Sequence, residues 1–371
     1  MPIGLIIMKW DDRAGTEILA KYPKEIVLTE KTLMQVYSTH EYSGESGMIS
    51  LMIGSLNIAS YYTGPEKNFY ILLLLNLDDD PDAYEEGLVD ISRTILRYID
   101  EDASLQMIPT LFRRLSVYPT LSDEQRLALT YQDEIKRMII DRLRDEGVVS
   151  KSELMIWLKD KYKQGFIDVE GVLLELIKRE IVKEASVKGI SSEFVFLIKD
   201  ILIMRVPPVK ILQDPADRGL PSQLVENYKA DAKRFFQNYQ PTEGDNLRVL
   251  DILTNPQVYE TLRILRTSVV TKNELKKLKK KGVEDLDDVL KILWDTQMVQ
   301  VFQGERGNEY YALLSDFHLK LIFPKYLMNT IKTVYDQKSK ADQVLIEYLT
   351  VLENTYTSLK ATAKAKAKIE D

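Results

Sequence analysis

The 371-residue sequence predicts an α+β chain: a strand-rich N-terminal domain, then two copies of a smaller helix-rich domain, then a helical end. Three observations predict it. Over the first 118 residues, short apolar runs punctuated by turn residues read as two strands, a helix, three strands and two helices. Further on, Val148 to Leu154 reads VVSKSEL and Val269 to Leu275 reads VVTKNEL. The match continues from Asp168–Ile177 to Asp285–Trp294 and from Glu193–Asp200 to Glu309–Asp316, and it pairs Pro208 with Pro324. A period of roughly 120 residues is too long for a solenoid and is the length of a small domain. Third, an apolar stripe through Leu327, Ile331, Val334, Val344, Leu345, Tyr348, Val351 and Leu352 marks a helix or helical pair after the second copy. The boundaries expected are 1–118, 119–208, a helix-bearing linker at 209–245, 246–324, and a C-terminal helix and tail at 325–371.

Composition narrows the function classes. The apolar and charged fractions, 45% and 29%, are those of an ordinary soluble protein. The absence of Cys removes disulfides, a thiolate nucleophile and a thiolate zinc site, and fits a cytosolic protein. Two His residues are too few for a multi-His metal site. The longest apolar run in the first domain, FYILLLL, is strand-sized, and no signal peptide is expected. The net charge of −7 is uneven. Residues 1–120 carry 10 Lys and Arg against 18 Asp and Glu; the other 251 carry 40 against 39.

Within the first domain, Gly4 to Trp10 and Thr16 to Lys21 read as strands around the turn Asp11 to Gly15. Leu28 to Tyr42 reads as a helix with Thr29 as N-cap. Gly47 to Ile53, Leu56 to Thr63 and Phe69 to Leu77 are strands separated by Gly54-Ser55 and Gly64-Pro65. Asp78 to Asp82 opens a helix over Ala83 to Tyr98, where acidic residues suit the helix dipole. A shorter helix covers Leu105 to Leu115. Asp78, Asp80 and Asp82 mimic the start of a calcium loop. Such a loop needs Gly at its sixth and Glu at its twelfth position; here these are Ala83 and Val89, so capping is the better reading. His40, near a helix end, reads as a surface or capping residue, and His318, in an apparent strand, reads the same way.

The element order, the DxxxG turn at Asp11 to Gly15, the exit Ala20-Lys21-Tyr22-Pro23 and the strand end Leu74-Leu75-Asn76-Leu77 resemble longin domains of the DENN-related type, in particular the nitrogen permease regulator-like proteins. The resemblance covers about 100 residues of a longin or roadblock-like, profilin-like domain. It implies binding to a small GTPase or to a partner longin or roadblock domain; plain dimerisation is the bland alternative. Some members of this group stimulate GTP hydrolysis through an arginine in the loop before the last strand. The matching stretch, Glu66-Lys67-Asn68-Phe69, has no Arg. Lys67 brings charge without the planar fork. Binding without catalysis is therefore expected, with Arg13, Lys67 and Asn68 as candidate partner contacts, although an exposed loop Arg is ordinarily just solvated.

Each repeat reads as three helices and a strand pair. In the first copy the helices are Asp123 to Glu146, Ser152 to Tyr162 and Asp168 to Arg179, followed by strands Ile181 to Ala185 and Glu193 to Ile203. In the second copy they are Gln257 to Arg266, Lys272 to Lys281 and Asp285 to Thr296, followed by a hairpin of Met298 to Gln303 and Glu309 to Leu314 through Gly304-Glu305-Arg306-Gly307. Ser150 and Thr271, with Glu153 and Glu274 three residues on, predict capping boxes. Both copies resemble winged helix-turn-helix domains, which bind DNA or proteins. The third helix, the usual reader of the major groove, is acidic here: Asp168, Glu170 and Glu175 in one copy, Glu284, Asp285, Asp287 and Asp288 in the other. Acidic first turns oppose phosphate binding. Lys276, Lys277, Lys279, Lys280 and Lys281 argue the other way, but a lysine run is ordinarily a solvated face. The linker carries one helix, Ser222 to Tyr239. The tail lysines Lys360, Lys364, Lys366 and Lys368 suit contact with acidic lipid, but a lone short tail is weak evidence for it.

No phosphate loop, Ser/His/Asp set or metal cluster is visible, so no catalytic residue, cofactor or metal is assigned. The reading is a cytoplasmic, non-enzymatic adaptor of a trafficking-like or nutrient-signalling-like GTPase system. The alternative is a winged-helix transcription regulator with an N-terminal dimerisation or sensing domain. The combination resembles proteins of archaeal lineages rich in eukaryote-like trafficking components.

Overall fold

The computed structural model describes residues 2–11, 13, 15–43, 46–65, 67–98, 103–162 and 169–370. Helix makes up 54% and strand 23%, and among the described residues every strand pair is antiparallel, so the class is α+β. The chain divides into two compact units after Leu121.

In the first unit Gly4–Asp11 (β1) and Gly15–Tyr22 (β2) form a hairpin. Glu30–Ser43 (α1) follows, with the Thr29 hydroxyl accepting from the Thr32 amide at 3.2 Å. Then come Gly47–Ile53 (β3), Leu56–Tyr62 (β4) and Phe69–Leu75 (β5). The sheet order is β2-β1-β5-β4-β3. The middle strand β5 is buried throughout, which is why its sequence is an unbroken apolar run rather than an alternation. One face, Ile6, Met8, Ile58, Leu72 and Leu74, packs with Leu33 and Val36 of α1. Alternate residues point the other way, where Glu85–Tyr98 (α2) and Ala103–Val117 (α3) pack on the sheet. The second helix starts later than its pattern suggests. Pro81–Tyr84 is a separate 3₁₀ turn, in which Asp80 Oδ1 accepts from the Asp82 amide.

His40 is not a surface residue. It is buried on the inner face of α1, with Nε2 2.9 Å from Ser60 Oγ and the stacked rings of Tyr62 and Tyr70 beside it. Burial lowers its pKa to about 4, so it is neutral near pH 7.

The second unit contains both repeats. The first is Asp123–Gln132 (α4), Glu134–Glu146 (α5), Val148–Ser150 (β6), Lys151–Lys161 (α6), Val169–Lys178 (α7), Val182–Ser186 (β7), Glu193–Leu197 (β8) and Asp200–Val206 (β9). Val209–Gln213 (α8) and Val225–Asn238 (α9) follow. The second repeat is Glu243–Thr254 (α10), Pro256–Leu265 (α11), Val270–Thr271 (β10), Lys272–Leu275 (α12), Leu286–Asp295 (α13), Val299–Gln303 (β11), Glu309–Leu313 (β12) and Asp316–Ile322 (β13). Leu327–Asp336 (α14) and Asp342–Glu370 (α15) end the chain. Each repeat thus carries helices and a three-stranded sheet, β6-β8-β7 or β10-β12-β11.

Four sequence expectations need correction. Asp123 to Glu146 is two helices, because the Asp133 carboxylate accepts from the amides of Ile135 and Lys136 and starts a new helix there. Its counterpart Asn255 does the same for α11, so the second repeat has a first helix, α10, in a stretch partly assigned to the linker. Glu193 to Ile203 is two strands. Ile198 and Lys199 both donate to the Ile181 carbonyl, the chain turns, and β9 joins a separate sheet with β13. Lys272 to Lys281 becomes 3₁₀ after Leu275. The first repeat buries Leu154 and Leu158, four apart; the second buries Leu275 and Leu278, three apart, which a 3₁₀ turn aligns on one face. A smaller difference is the linker helix, which is regular only from Val225; the C-terminal segment is a helical pair, one of the two forms expected for it. Glu66 and Asp168, and the side chains of Lys281, Lys364, Lys366 and Lys368, lie outside what is described.

The repeats share several bonds at equivalent positions. Glu180 and Gln297 both take φ 56° after the third helix. The next amides, of Ile181 and Met298, reach back to Leu176 and Leu293 at 2.9 and 2.8 Å. Arg144 Nε and Arg266 Nε each hold the Asp that opens the last strand, Asp200 or Asp316, at 2.9 Å. One hydrophobic core runs through both copies and takes in Val344, Leu345, Tyr348, Val351 and Leu352 of α15.

Candidate interaction surface

The sheet of the first unit has two edges, and they differ chemically. Strand β2, GTEILAKY, carries Glu17 and Lys21 and has α3 against it. Strand β3, GMISLMI, pairs among the described residues with β4 alone and contains no charged residue. Charges on an edge strand discourage pairing with another chain, so β3 is the edge left open to it. Helix α1 runs beside β3, and a groove of about 600 Å³ lies between them, lined by Met34, Gln35, Tyr42, Leu51, Met52 and Ile53 among others. Its apolar residues are unusually open to solvent: Tyr42 is 96% and Met52 66% exposed. Behind the groove, the buried His40 of α1 meets Ser60 of β4 and Tyr70 of β5.

The three predicted contact residues lie elsewhere, at one end of the sheet. Lys9 pairs with Phe69, so the β1–β2 turn and the β4–β5 loop are neighbours. Arg13 is exposed in the turn, its amide donating to Asp11 Oδ1 at 2.8 Å. Lys67 is half-buried in the loop. Asn68 holds the two together. At φ 58° its Nδ2 donates to the Trp10 carbonyl at 3.0 Å and ties loop to turn. The Gly47 end of β3 adjoins the same loop, since Gly64 lies against Ser46.

In the repeats, the first turn of each third helix is tied by a lysine. Lys151 Nζ lies 2.7 Å from Glu170 and 2.8 Å from Glu184. Its counterpart Lys272 lies 2.5 Å from Asp287. Glu170 and Asp287 thus place acidic charge at the start of the third helix in both copies. Glu274 accepts from the Thr271 amide and hydroxyl, completing a capping box. In the first copy Ser150 caps Glu153 while the Glu153 carboxylate bonds Arg142 instead. Lys276, Lys277, Lys279 and Lys280 are exposed on the 3₁₀ turn, with Leu275 and Leu278 facing inward. His318 is exposed on β13.

The groove residues Met34, Tyr42 and Met52 are not among the residues that sequence reasoning singles out. A signal exists in the uncharged β3 set against the charged β2, but which strand is at an edge depends on sheet order, and periodicity does not give that. Among the described residues no helix is long and apolar enough to cross a membrane. The chain matches no protein-family model, and no curated protein matches it.

Proposed function

We propose that the protein is a cytoplasmic, non-enzymatic adaptor. On this reading the first unit is a longin or roadblock-type domain that binds a small GTPase or a partner domain of its own kind. The repeats are tandem winged helices that recruit further subunits in a trafficking-like or nutrient-signalling-like assembly. The observation that carries the reading is the β2-β1-β5-β4-β3 order with its open, uncharged β3 edge beside α1. An extended segment adding to such an edge gains main-chain hydrogen bonds, and the groove offers pockets for side chains. The test uses the full chain and a panel of small GTPases in both nucleotide states. Affinity and single-turnover hydrolysis are measured together. Binding without acceleration is expected, since Glu66 to Phe69 has no Arg; a supplied arginine contributes on the order of 10³–10⁵ in rate, which the assay would show. Failure to bind any of them, together with self-association, favours a dimerisation domain. Acceleration lost in Lys67→Ala or Arg13→Ala contradicts the non-catalytic reading.

The alternative, a DNA-binding regulator, rests on the exposed lysines of the second repeat. Anisotropy with duplex DNA at physiological salt decides it. Sub-micromolar binding lost on neutralising Lys276, Lys277, Lys279 and Lys280 favours the regulator.

A further inference from the structure

Strands β9 and β13 occupy the same place in their repeats and pair antiparallel with each other. Asp200 faces Ile322, Val206 faces Asp316, and at the centre Ile203 faces Leu319. With 116 residues between equivalent positions here, Ile203 and Leu319 are counterparts, and Asp200 and Val206 correspond to Asp316 and Ile322. A residue pairs with its own counterpart only on a two-fold axis. The first helices obey the same axis: α4 packs on α10, with Gln125 Nε2 donating to the Leu253 carbonyl at 3.1 Å and Gln132 Nε2 to Asp251 at 2.8 Å.

The segments that follow each repeat cross over. After the first repeat the chain covers the second. Ile211, Leu220 and Tyr228 cluster with Val269, Phe302 and Ala312, and Tyr228 Oη donates to the Leu313 carbonyl at 2.7 Å. After the second repeat the chain covers the first. Lys340 pairs with Glu146 at 2.9 Å, and Tyr348 Oη donates to the Leu197 carbonyl at 2.9 Å beside Phe196. Leu197 and Leu313 are counterparts, each the last residue of its strand, EFVFL or EYYAL. One tyrosine from each trailing helix therefore makes the same bond to the opposite repeat.

We infer that the repeat region is a fused, exchanged dimer. Each repeat is closed by the helix that trails the other, and the surface along the axis is one that a repeat offers to a second copy of itself. This goes beyond the adaptor reading and does not depend on it. A symmetric surface is self-complementary, and exchange of an identical element between protomers is a low-cost route to a dimer. The region is then one cooperative body in which neither repeat is complete without the other's helix.

The exchange is tested by hydrogen exchange on the full chain. In Tyr348→Ala, amides of β8 exchange at least tenfold faster while those of β12 change less; Tyr228→Ala does the reverse. Phe at each position, which removes only the hydroxyl, gives the same pattern at smaller amplitude and serves if the Ala variants unfold. Each tyrosine loosening the repeat that precedes it overturns the inference. A protease site inserted after Gln240 tests the assembly. The pieces 1–240 and 241–371 should co-elute after cleavage and re-form a one-to-one complex, or pair with themselves, after urea is diluted out. Two separate monomers overturn it.

Discussion

The two repeats keep the same frame and have diverged around it. Both hold the opening Asp of the last strand with an arginine in or just after the second helix, both turn through a positive-φ residue at Glu180 or Gln297, and both tether the third helix with Lys151 or Lys272. What surrounds the arginines differs. Arg266 reaches Glu124 in the other repeat with two bonds, at 2.8 and 3.1 Å. Arg144 stays within its own repeat, on Asp141 and the Ile201 carbonyl, and Tyr326 donates to Asp200 at 2.8 Å. The arginine–aspartate bond within each copy is kept, while the further partners of the two arginines differ.

The largest departure from symmetry is Arg205. Its side chain is 3% exposed, makes two 2.7 Å bonds to Asp245 of the other repeat, and donates to the Thr296 carbonyl and Ser315 Oγ. Its counterpart is Leu321, 116 residues on. Despite burial, hydrogen bonds from Arg205 and Tyr239 hold Asp245 below the usual carboxylate range. Arg205→Ala leaves that carboxylate with the Tyr239 hydroxyl but no cation, and should lower stability by about 3 kcal/mol in urea unfolding. A loss under about 1 kcal/mol would show that the cross-axis network is incidental.

Gly147 comes next. It sits at φ 75°, and a Cβ there would lie 2.7 Å from the Tyr348 ring. Its counterpart Ser268 is not at positive φ. Gly147→Ala should cost roughly 1–3 kcal/mol and loosen α15, read from the midpoint of urea unfolding. Ser268→Ala should stay within about 0.5 kcal/mol.

Glu180→Gly and Gln297→Gly probe the shared turn from the other side. Both relieve left-handed strain, and each should be stabilising or neutral within about 1 kcal/mol, with matching shifts. Opposite signs would mean that the two turns do not share one geometry.

His40, in the first unit, provides a pH test separate from the repeats. Its folded pKa of about 4 lies below the ordinary histidine value of 6.5, so the unfolded chain binds more protons between those values. His40 should therefore cost nothing above pH 6.5 and erode stability as pH falls toward 4. The fall with acid should be shallower in His40→Gln. An unchanged profile would mean that His40 titrates normally.

Much of this frame is legible in the chain itself. VVSKSEL and VVTKNEL reveal the repeat, and apolar runs reveal the order of elements in the first unit. Asp133 and Asn255 are legible only as polar residues; that each starts a new helix depends on its side-chain oxygen meeting amides two and three residues on. The 3₁₀ turn is written in the Leu275–Leu278 spacing, but the lysine run reads as helix-compatible. The open β3 edge and the exchange of trailing helices are facts of tertiary order, which local periodicity does not encode. His40 reads as a surface residue because its partner Ser60 is 20 residues away on another element.

If the adaptor reading holds, the protein meets its partner at the α1/β3 edge and not at the lysine face of the second repeat. One titration separates the two surfaces. Full-length protein, the Met52→Arg variant and a variant with Lys276, Lys277, Lys279 and Lys280 changed to Gln are compared against the same small GTPases and in self-association by sedimentation. Met52 is exposed, so Arg should leave the fold intact. Met52→Arg should weaken the interaction at least tenfold, about 1.4 kcal/mol, while the lysine variant binds as the parent does. Loss of binding in the lysine variant with Met52→Arg unaffected would place the interface on the second repeat instead.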